Sequence, residues 1–246
     1  MRRSSFTLIE LLVVMTIISI LAGLLMPAVS RVQDLARATS CGSRLGQIGR
    51  AVQLYGISHG GYLPGCCDSD GYQFFGYFSG PANPVDFSRG YLSPYVGNDT
   101  EVWQCPSWGD FMPRARGACT GYGYNYYYLT DLKEKGNWWD PDYEYRWQGK
   151  HESIIRKHTT TLLFADSARD WMGPLEENWF FDPTSQSLAW PGWESCYAHF
   201  RHLNRCNALW ADGHVSSLEA DDCWPVNHNK LGLLCDISDV YFDPEK

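Results

Sequence analysis

Phe6-Thr7-Leu8-Ile9-Glu10-Leu11-Leu12-Val13-Val14 opens the apolar stretch that decides the fold, and two arginines, Arg2 and Arg3, lie just before it. No charged residue occurs in the twenty positions from Leu11 to Ser30. A helix of that length, at about 1.5 Å per residue, spans the hydrocarbon core of a bilayer. A carboxylate near the bilayer centre costs about 2.5–3.5 kcal/mol. The stretch therefore predicts a membrane-anchoring helix in which Glu10 lies at an interface or has a cationic partner.

The same stretch resembles the N-terminus of type IV prepilins and of type II secretion pseudopilins. In that family a basic leader stays in the cytoplasm, and prepilin peptidase cuts before the Phe and also methylates the new amine. The resemblance implies cleavage between Ser5 and Phe6, N-methylation of Phe6, and a role for Glu10 in assembly with other pilin-like subunits. It also implies a single-pass protein of the cytoplasmic membrane, with its C-terminal domain outside the cytoplasm, in the periplasm or at the cell surface.

Two other interpretations of the N-terminus remain open. Basic residues, an apolar stretch and Ala28-Val29-Ser30 are also typical of a secretory signal peptide with a small-residue cleavage site. A simple one-span anchor without processing is the other. Glu10 interrupts the apolar segment early, and that segment is long for a signal peptide, so the prepilin interpretation is favoured. Arginines lie on both sides of the span, so its orientation rests on the resemblance.

A helical pattern continues beyond the anchor. The apolar residues on its recurring face are Val32, Leu35, Leu45, Ile48, Val52 and Tyr55. The segment from His59 to Pro64 then supplies the glycines and the proline that are typical of a helix end. We expect one helix from Phe6 to about Ser58. The expected organisation is a leader at 1–5, a transmembrane and assembly helix at 6–30, an amphipathic helix at 31–60 and an extracytoplasmic globular domain at 61–246.

Composition narrows the class of partner. The chain has 246 residues and a net charge of −8, which disfavours nucleic-acid binding because that affinity comes chiefly from Lys and Arg on phosphates. Aromatic residues make up 15% of the chain and indicate a packed, partly β core. Nucleic acid is therefore not an expected partner, and the resemblance implies the membrane, the processing peptidase and other pilin-like subunits as partners.

Cysteine usage is typical of an oxidising compartment. The nine cysteines are Cys41, Cys66, Cys67, Cys105, Cys119, Cys196, Cys206, Cys223 and Cys235. Spacing does not give their connectivity, and their odd number leaves at least one unpaired or paired between chains. A disulfide from Cys105 to Cys41, Cys66 or Cys67 would support the long connection around it. No Cys-x-x-Cys motif occurs, so a structural zinc site is not favoured.

Four segments beyond residue 120 predict strands. Gly121–Tyr126 alternates tyrosines with small or polar residues, and 159–166 is a strong strand pattern. Cys206–Ala211 and His214–Leu218 flank Asp212-Gly213, which predicts a hairpin with a two-residue turn. The tyrosines pack on the helix or, alternatively, form a stacking platform for sugar or peptide.

The remaining segments carry weaker patterns. Residues 65–120 are expected to form an irregular connection, and residues 133–150 an exposed insertion. The predicted fold class is α+β and pilin-like. Its long N-terminal helix packs on a small antiparallel sheet with long irregular loops.

A second resemblance lies near the C-terminus. His202 is followed, after nine residues, by Asp212-Gly213, as in the His-x9-Asp-Gly signature of secreted prepilin-type proteins. Ala165-Asp166 and Ala211-Asp212 each lie at the end of a predicted strand. If these two strand ends are neighbours, the imidazole and carboxylate groups around them suit zinc or another divalent metal. The possible ligands are Asp166, His199, His202, Asp212 and His214. The alternative is structural, with Asp212-Gly213 forming a turn and His202 hydrogen-bonding the sheet.

No motif for catalysis is present. Gly-x-Ser-x-Gly, His-Glu-x-x-His and phosphate-binding glycine loops are absent from the sequence, so we predict no enzyme and no catalytic residue. The favoured function is a structural pilin-like subunit, assembled through its helix into a type IV pilus or type II secretion-like filament. The alternative is a membrane-anchored surface binding module or adhesin that uses the aromatic-rich region 122–147.

Overall fold

The computed structural model describes residues 7–80, 83–97, 99–110, 120–137, 139–170, 175–185, 196–220, 229–234 and 238–245. The N-terminal helix, α1, covers Leu8–Ser58, or 51 residues, and continues through Pro27. At 1.5 Å per residue it is roughly 77 Å long. It ends where predicted, because Gly60 and Gly61 have φ values of 64° and 86°, which favour glycine. The Gly61 amide donates to the Gly56 carbonyl at 2.8 Å, in a helix-terminating arrangement.

Two parts of α1 differ in their surroundings. Its buried residues are Cys41, Leu45, Ile48, Gly49, Ala51 and Val52. Val32 and Leu35, which the apolar pattern placed on the same face, are exposed. The expected apolar face is therefore buried only from Cys41 onward, the first buried residue of α1.

The described strands lie in two sheets. In chain order they are β1 (Tyr122–Tyr124), β2 (Thr130–Lys135), β3 (Glu144–Gly149), β4 (Leu162–Asp170), β5 (Leu175–Glu176), β6 (Cys196–His199), β7 (Arg205–Trp210), β8 (Val215–Glu219) and β9 (Leu231–Gly232). The main sheet has the order β8-β7-β4-β6-β9, and both β1 and β5 also pair with β4. All of its pairings are antiparallel. The described elements thus form the α+β, pilin-like arrangement predicted from the sequence.

Short helices and a separate hairpin complete the domain. The helices are α2 (Tyr126–Leu129) and the 3₁₀ helices Phe87–Arg89, Ser93–Tyr95, Thr100–Trp103, Trp108–Asp110 and Glu152–Ile154. The described parts of 65–120 contain only such short elements, as predicted. Strands β2 and β3 form a separate, largely exposed hairpin in the 133–150 region, where the sequence pattern had assigned no strand. A single bridge between Asp68 and Arg146 links β3 to the preceding connection.

The predicted strand at Gly121–Tyr126 ends early. Only Tyr122–Tyr124 is extended, because the buried Asn125 side chain donates to the Leu162 and Phe242 carbonyls at 3.0 and 2.8 Å and turns the chain into α2. Tyr122 and Tyr124 are fully buried. Their packing role is therefore confirmed, and they are not a platform for ligands.

The β7–β8 hairpin is present, but its turn differs from the prediction. The Trp210 amide donates to the His214 carbonyl, so three residues, Ala211 to Gly213, form the loop. Gly213 has a positive φ of 91°, whereas Asp212 does not share that conformation. This is the pattern of a type I turn followed by a glycine bulge, and the predicted two-residue turn was wrong.

The second half of α1 packs directly on this hairpin. A Cβ atom at Gly49 would come within 2.8 Å of Leu209 on β7, and one at Gly42 within 3.7 Å of Val215 on β8. The Asn207 side chain also donates to the Ala38 carbonyl at 3.1 Å. Gly49 thus allows the close helix-to-sheet contact, whereas a Cβ atom at Gly42 would make an ordinary van der Waals contact.

We expect Leu45→Ala to lower the free energy of unfolding by about 2–5 kcal/mol, because it removes a fully buried side chain from the contact between α1 and the sheet. Leu54→Ala is the matched control, since Leu54 lies on the same helix and is half exposed; its effect should stay within about 0.5 kcal/mol. The measurement is denaturant unfolding of the full chain in detergent, followed by tryptophan fluorescence. Equal losses in both variants would contradict this packing.

Candidate functional site: an exposed apolar helix and a buried polar cluster

The first candidate site is the exposed part of α1. Large apolar side chains from Leu8 to Leu35 are exposed on every side of the helix, including Leu8 at 82% and Leu24 and Met26 at 72%. Among the described residues, α1 is the one helix long and apolar enough to cross a membrane, and none of its most apolar window is buried by the domain. This surface requires lipid or other protein around it.

A capping box fixes the N-terminus of α1. The Thr7 amide and hydroxyl donate to Oε2 of Glu10 at 2.8 and 2.9 Å, and the Glu10 amide donates to the Thr7 hydroxyl at 3.3 Å. Glu10 therefore has a local structural role beside the assembly role that the resemblance implies. Ser5 and Phe6, at the expected cleavage site, lie outside the described residues.

The second candidate site is a buried cluster of Cys41, Cys105, Asp166 and His202, called here the four-residue cluster. Their ligand-type atoms all lie within 4.8 Å of one another, and all four residues are buried. Cys41 Sγ lies 3.3 Å from Asp166 Oδ1, and His202 Nε2 lies 3.3 Å from both Cys105 Sγ and Asp166 Oδ2. Four distant segments of the chain thus converge on one point.

Each segment is fixed by its own local structure. Cys41 is on α1, Cys105 precedes the 3₁₀ helix at Trp108–Asp110, and Asp166 is in the middle of β4. His202 begins a tight turn in which Leu203 and Asn204 both have positive φ, and its amide and carbonyl pair with Arg205. That turn, between β6 and β7, directs the imidazole into the core.

Neighbouring groups hold the cluster from outside. The Asn207 amide donates to Asp166 Oδ2 at 2.8 Å, and the Tyr122 hydroxyl donates to Cys41 Sγ at 3.5 Å. Ser107 Oγ lies 3.3 Å from His202 Nδ1, so both nitrogens of that imidazole have polar neighbours. The guanidinium of Arg201 is fully buried, 3.9 Å from Asp166, and lies over the Trp108 ring.

The electrostatics of the cluster follow from these contacts. Burial opposes ionisation of Asp166, but His202 and Arg201 outweigh it and lower the pKa of the carboxyl. Burial also opposes the charged form of His202, yet Asp166 raises its pKa to about 9. For Cys105, burial opposes ionisation, but a hydrogen bond from Cys41 and the charge of Arg201 lower the pKa to about 5. Burial raises the pKa of Cys41.

The structure brings only part of the predicted metal-binding set together. Asp166 and His202 join the cluster, whereas Asp212 and His214 pair with each other in the β7–β8 turn, where His214 Nδ1 lies 2.6 Å from Asp212 Oδ1. His199 is buried separately, with Nε2 3.1 Å from the Asn229 carbonyl. Gly213 supplies the positive φ that this turn requires. The two cysteines of the cluster were not predicted as ligands, although Cys41 was a predicted neighbour of Cys105.

The predicted disulfides do not form among the described cysteines. Cys41, Cys66, Cys67, Cys105 and Cys206 are all unlinked. Cys41 and Cys105 are nevertheless side by side, as the expected support of the long connection requires. The side chains of the other four cysteines lie outside the described part of the chain.

Residues 1–26 match the family described as the prokaryotic N-terminal methylation motif. This match confirms the resemblance to prepilins drawn from the Phe6–Val14 segment, and it supports a processed, membrane-associated, prepilin-like protein. No curated protein and no solved structure matches the chain. The match ends within α1, so the four-residue cluster is interpreted from its geometry.

We expect His199 to make the domain sensitive to acid. Burial, followed by the charge of Arg201, lowers the pKa of His199 to about 2, whereas an unfolded histidine takes up a proton near pH 6.5. The unfolded state therefore binds more protons between these values, and stability is lost as the pH falls below about 6.5. The largest slope that one such group gives is about 1.4 kcal/mol per pH unit.

The His199→Gln variant should lose stability less steeply between pH 6.5 and 5 than the wild type, because glutamine retains a donor for the Asn229 carbonyl but does not titrate. His158→Gln, at an exposed histidine, is the matched control and should follow the wild-type slope. Denaturant unfolding at each pH measures the difference. Parallel slopes for His199→Gln and the wild type would show that His199 does not carry this dependence.

Proposed function

We propose that the chain is a structural pilin-like subunit, inserted by α1, processed before Phe6 and assembled through α1 into a type IV pilus or type II secretion-like filament. The observation that carries the proposal is the exposed apolar half of α1, which bears the N-terminal methylation motif and continues without a break into the folded domain. Such a helix can serve first as a membrane anchor and then as a lateral contact between subunits.

The apolar surface of this helix has to stay out of water both before and after assembly. Burying one large apolar side chain gains about 1.5–3 kcal/mol relative to water, and the exposed half of α1 carries many of them around its circumference. A membrane satisfies this surface before assembly. In a filament, the helices of neighbouring subunits satisfy it, because an all-round apolar helix is typical of a buried position.

Glu10 supplies the polar element in this apolar contact. A carboxylate among apolar helices needs a cationic partner, since an unpaired buried charge is strongly unfavourable. Cleavage before Phe6 creates an amine four residues from Glu10. The amine of a neighbouring subunit is a partner of the right charge, and pairing with it would set the stagger between adjacent helices.

The proposed location follows from the same processing. The leader 1–5 remains on the cytoplasmic side, where prepilin peptidase removes it and methylates Phe6. The single span crosses the cytoplasmic membrane, and the domain lies in the periplasm or at the cell surface. We propose no catalytic activity for the chain.

An aromatic groove favours a second function, as a tethered binding module or adhesin. A groove of about 400 Å³ lies beside the β2–β3 hairpin and is lined by rings that include Tyr126, Tyr145, Trp147 and Phe180. Tyr126 packs edge-on against Trp147 and Phe180, with ring centroids 4.9 and 5.3 Å apart. Sugars and peptides stack on such surfaces. Under this second function α1 only tethers the domain, and Glu10 is dispensable.

Two variants separate the charge of Glu10 from its capping role. Glu10→Gln removes the charge but retains an acceptor for the Thr7 amide, so the helix cap remains while filament incorporation should fall to background. Thr7→Val is the matched control, because it weakens the cap and leaves the carboxylate in place, and it should still be incorporated. Incorporation is measured by quantifying the chain in sheared filaments against its level in membranes. Normal incorporation of Glu10→Gln would favour the tethered binding module.

Processing is tested by the mass of the N-terminal peptide. In cells that contain prepilin peptidase, we expect a peptide that begins with N-methylated Phe6; in cells without it, the leader should remain attached. Mass spectrometry of membrane-extracted protein gives the result directly. A peptide that begins at Arg31 in both strains would instead show cleavage of a signal peptide after Ser30 and would rule out the prepilin route.

A further inference from the structure

We propose that Cys41, Cys105, Asp166 and His202 bind one zinc ion, which fastens α1 to the domain. This site is separate from the processing and assembly proposed above, which concern the other half of the helix. Two sulfurs, one imidazole nitrogen and one carboxylate oxygen form a donor set that suits zinc. All four are protein side chains, so the site is of the closed, structural kind rather than the catalytic kind that leaves a position for water.

The distances between donors suit a tetrahedral site. With zinc bonds of about 2.3 Å to sulfur and about 2.0–2.1 Å to nitrogen or oxygen, neighbouring donors in a tetrahedron are about 3.3–3.8 Å apart. Three distances here are 3.3 Å: Cys41 Sγ to Asp166 Oδ1, His202 Nε2 to Asp166 Oδ2, and His202 Nε2 to Cys105 Sγ. One ligand-type atom from each of the four residues lies within 4.8 Å of the other three. Small rotations of the side chains therefore suffice to close the four donors around one ion.

The orientation of His202 is that of a metal ligand. Its Nε2 faces both Cys105 Sγ and Asp166, while its Nδ1 lies 3.3 Å from the hydroxyl of Ser107. Metal-binding histidines usually donate their second ring N–H to such an outer partner, which fixes the ring. Asp166 is held in the same way by the Asn207 amide.

The charges balance when zinc is bound. Two thiolates and the Asp166 carboxylate carry three negative charges, and zinc together with the buried Arg201 guanidinium carries three positive charges, with His202 neutral. Nε and Nη1 of Arg201 have no hydrogen-bond partner among the described residues. The positive charge of Arg201 is therefore compensated mainly by the nearby negative charges of the cluster, of which the Asp166 carboxylate is 3.9 Å away. A neutral set avoids the large cost of a net charge in the core.

A disulfide between Cys41 and Cys105 is the competing state of the same residues. It would use two of the four donors and would not account for the direction of His202 Nε2 or of the Asp166 carboxylate. Zinc uses all four, and it joins α1, the segment before Trp108, β4 and the turn after β6. It would also secure the long connection that contains Cys105, which has only short elements of its own.

The test uses the full chain, purified in detergent from native membranes without chelator. Elemental analysis should find about one zinc per chain, and zinc-edge X-ray absorption should find two sulfur and two nitrogen or oxygen ligands. After exchange into cobalt, the wild type should show a thiolate-to-cobalt charge-transfer band and the visible bands of a tetrahedral site. These measurements use the unaltered chain, so they do not depend on whether a variant folds.

Variants then assign the ligands. Cys105→Ser should reduce the thiolate-to-cobalt band by about half or more, because one of the two thiolates is lost, whereas Cys67→Ser, at a partly buried cysteine outside the cluster, should leave it unchanged. Ser107→Ala should lower zinc affinity by about 10–100-fold, because it removes the outer partner of His202. Circular dichroism checks that each variant is folded.

Three results would overturn the proposal. They are a folded, reduced wild type that binds no zinc, a Cys41–Cys105 disulfide in the protein from native membranes, and a ligand shell without two sulfurs. Loss of filament incorporation in Glu10→Gln, or its retention, has no bearing on zinc content, so the two proposals fail separately.

Discussion

The division of α1 between two environments is the constraint on which the rest of the structure depends. Up to Leu35 the helix exposes apolar side chains, and from Cys41 onward one of its faces is buried against β7 and β8. Backbone hydrogen bonds within the helix satisfy the polar groups of the first half, as a membrane requires. The second half must instead fit closely against a sheet, which explains the glycine at Gly49.

The four-residue cluster lies at the boundary between these environments. Cys41 is the first buried residue of α1, and its sulfur meets a carboxylate from the centre of the main sheet. Apolar packing from Leu45 to Val52 is strong but weakly directional, whereas hydrogen bonds or metal ligands fix an orientation. The cluster is thus placed where it can set the angle at which the helix leaves the domain.

Local patterns in the sequence predicted the features that local interactions determine. The end of α1 at Ser58 follows from Gly60 and Gly61, and the β7–β8 hairpin follows from an Asp-Gly pair between two apolar runs. Details that depend on distant contacts were missed. Asn125 ends β1 early because it donates to Leu162 and Phe242, and Phe242 is 117 residues away in the sequence. The exposure of Val32 and Leu35 likewise depends on where the domain begins to cover the helix.

The four-residue cluster also depends on distant contacts that local sequence patterns do not predict. The sequence rule for structural zinc looks for closely spaced cysteines, but Cys41, Cys105, Asp166 and His202 are each separated by dozens of residues. The sequence pattern did identify Asp166 and His202 as possible ligands. It also grouped Asp212 and His214 with them, but only because Asp166 and Asp212 each follow an alanine at the end of a predicted strand. In the structure Asp166 lies within β4, whereas Asp212 lies in a turn. Only the sheet order reveals which of them faces α1.

The separation of Glu10 from Cys41 links assembly to the fold. Cys41 lies 31 positions after Glu10, which corresponds to about 46 Å of helix, and in the proposed filament any force on the helix reaches the domain at the first buried turn. Apolar side chains resist separation in proportion to the area exposed, and they allow small rotations at little cost. The contact between Cys41 and Asp166 is directional, because a displacement of α1 breaks the hydrogen bond from the Cys41 thiol to the buried carboxylate. A polar cluster at Cys41 therefore gives the junction a stiffness that the apolar contacts beyond it do not supply.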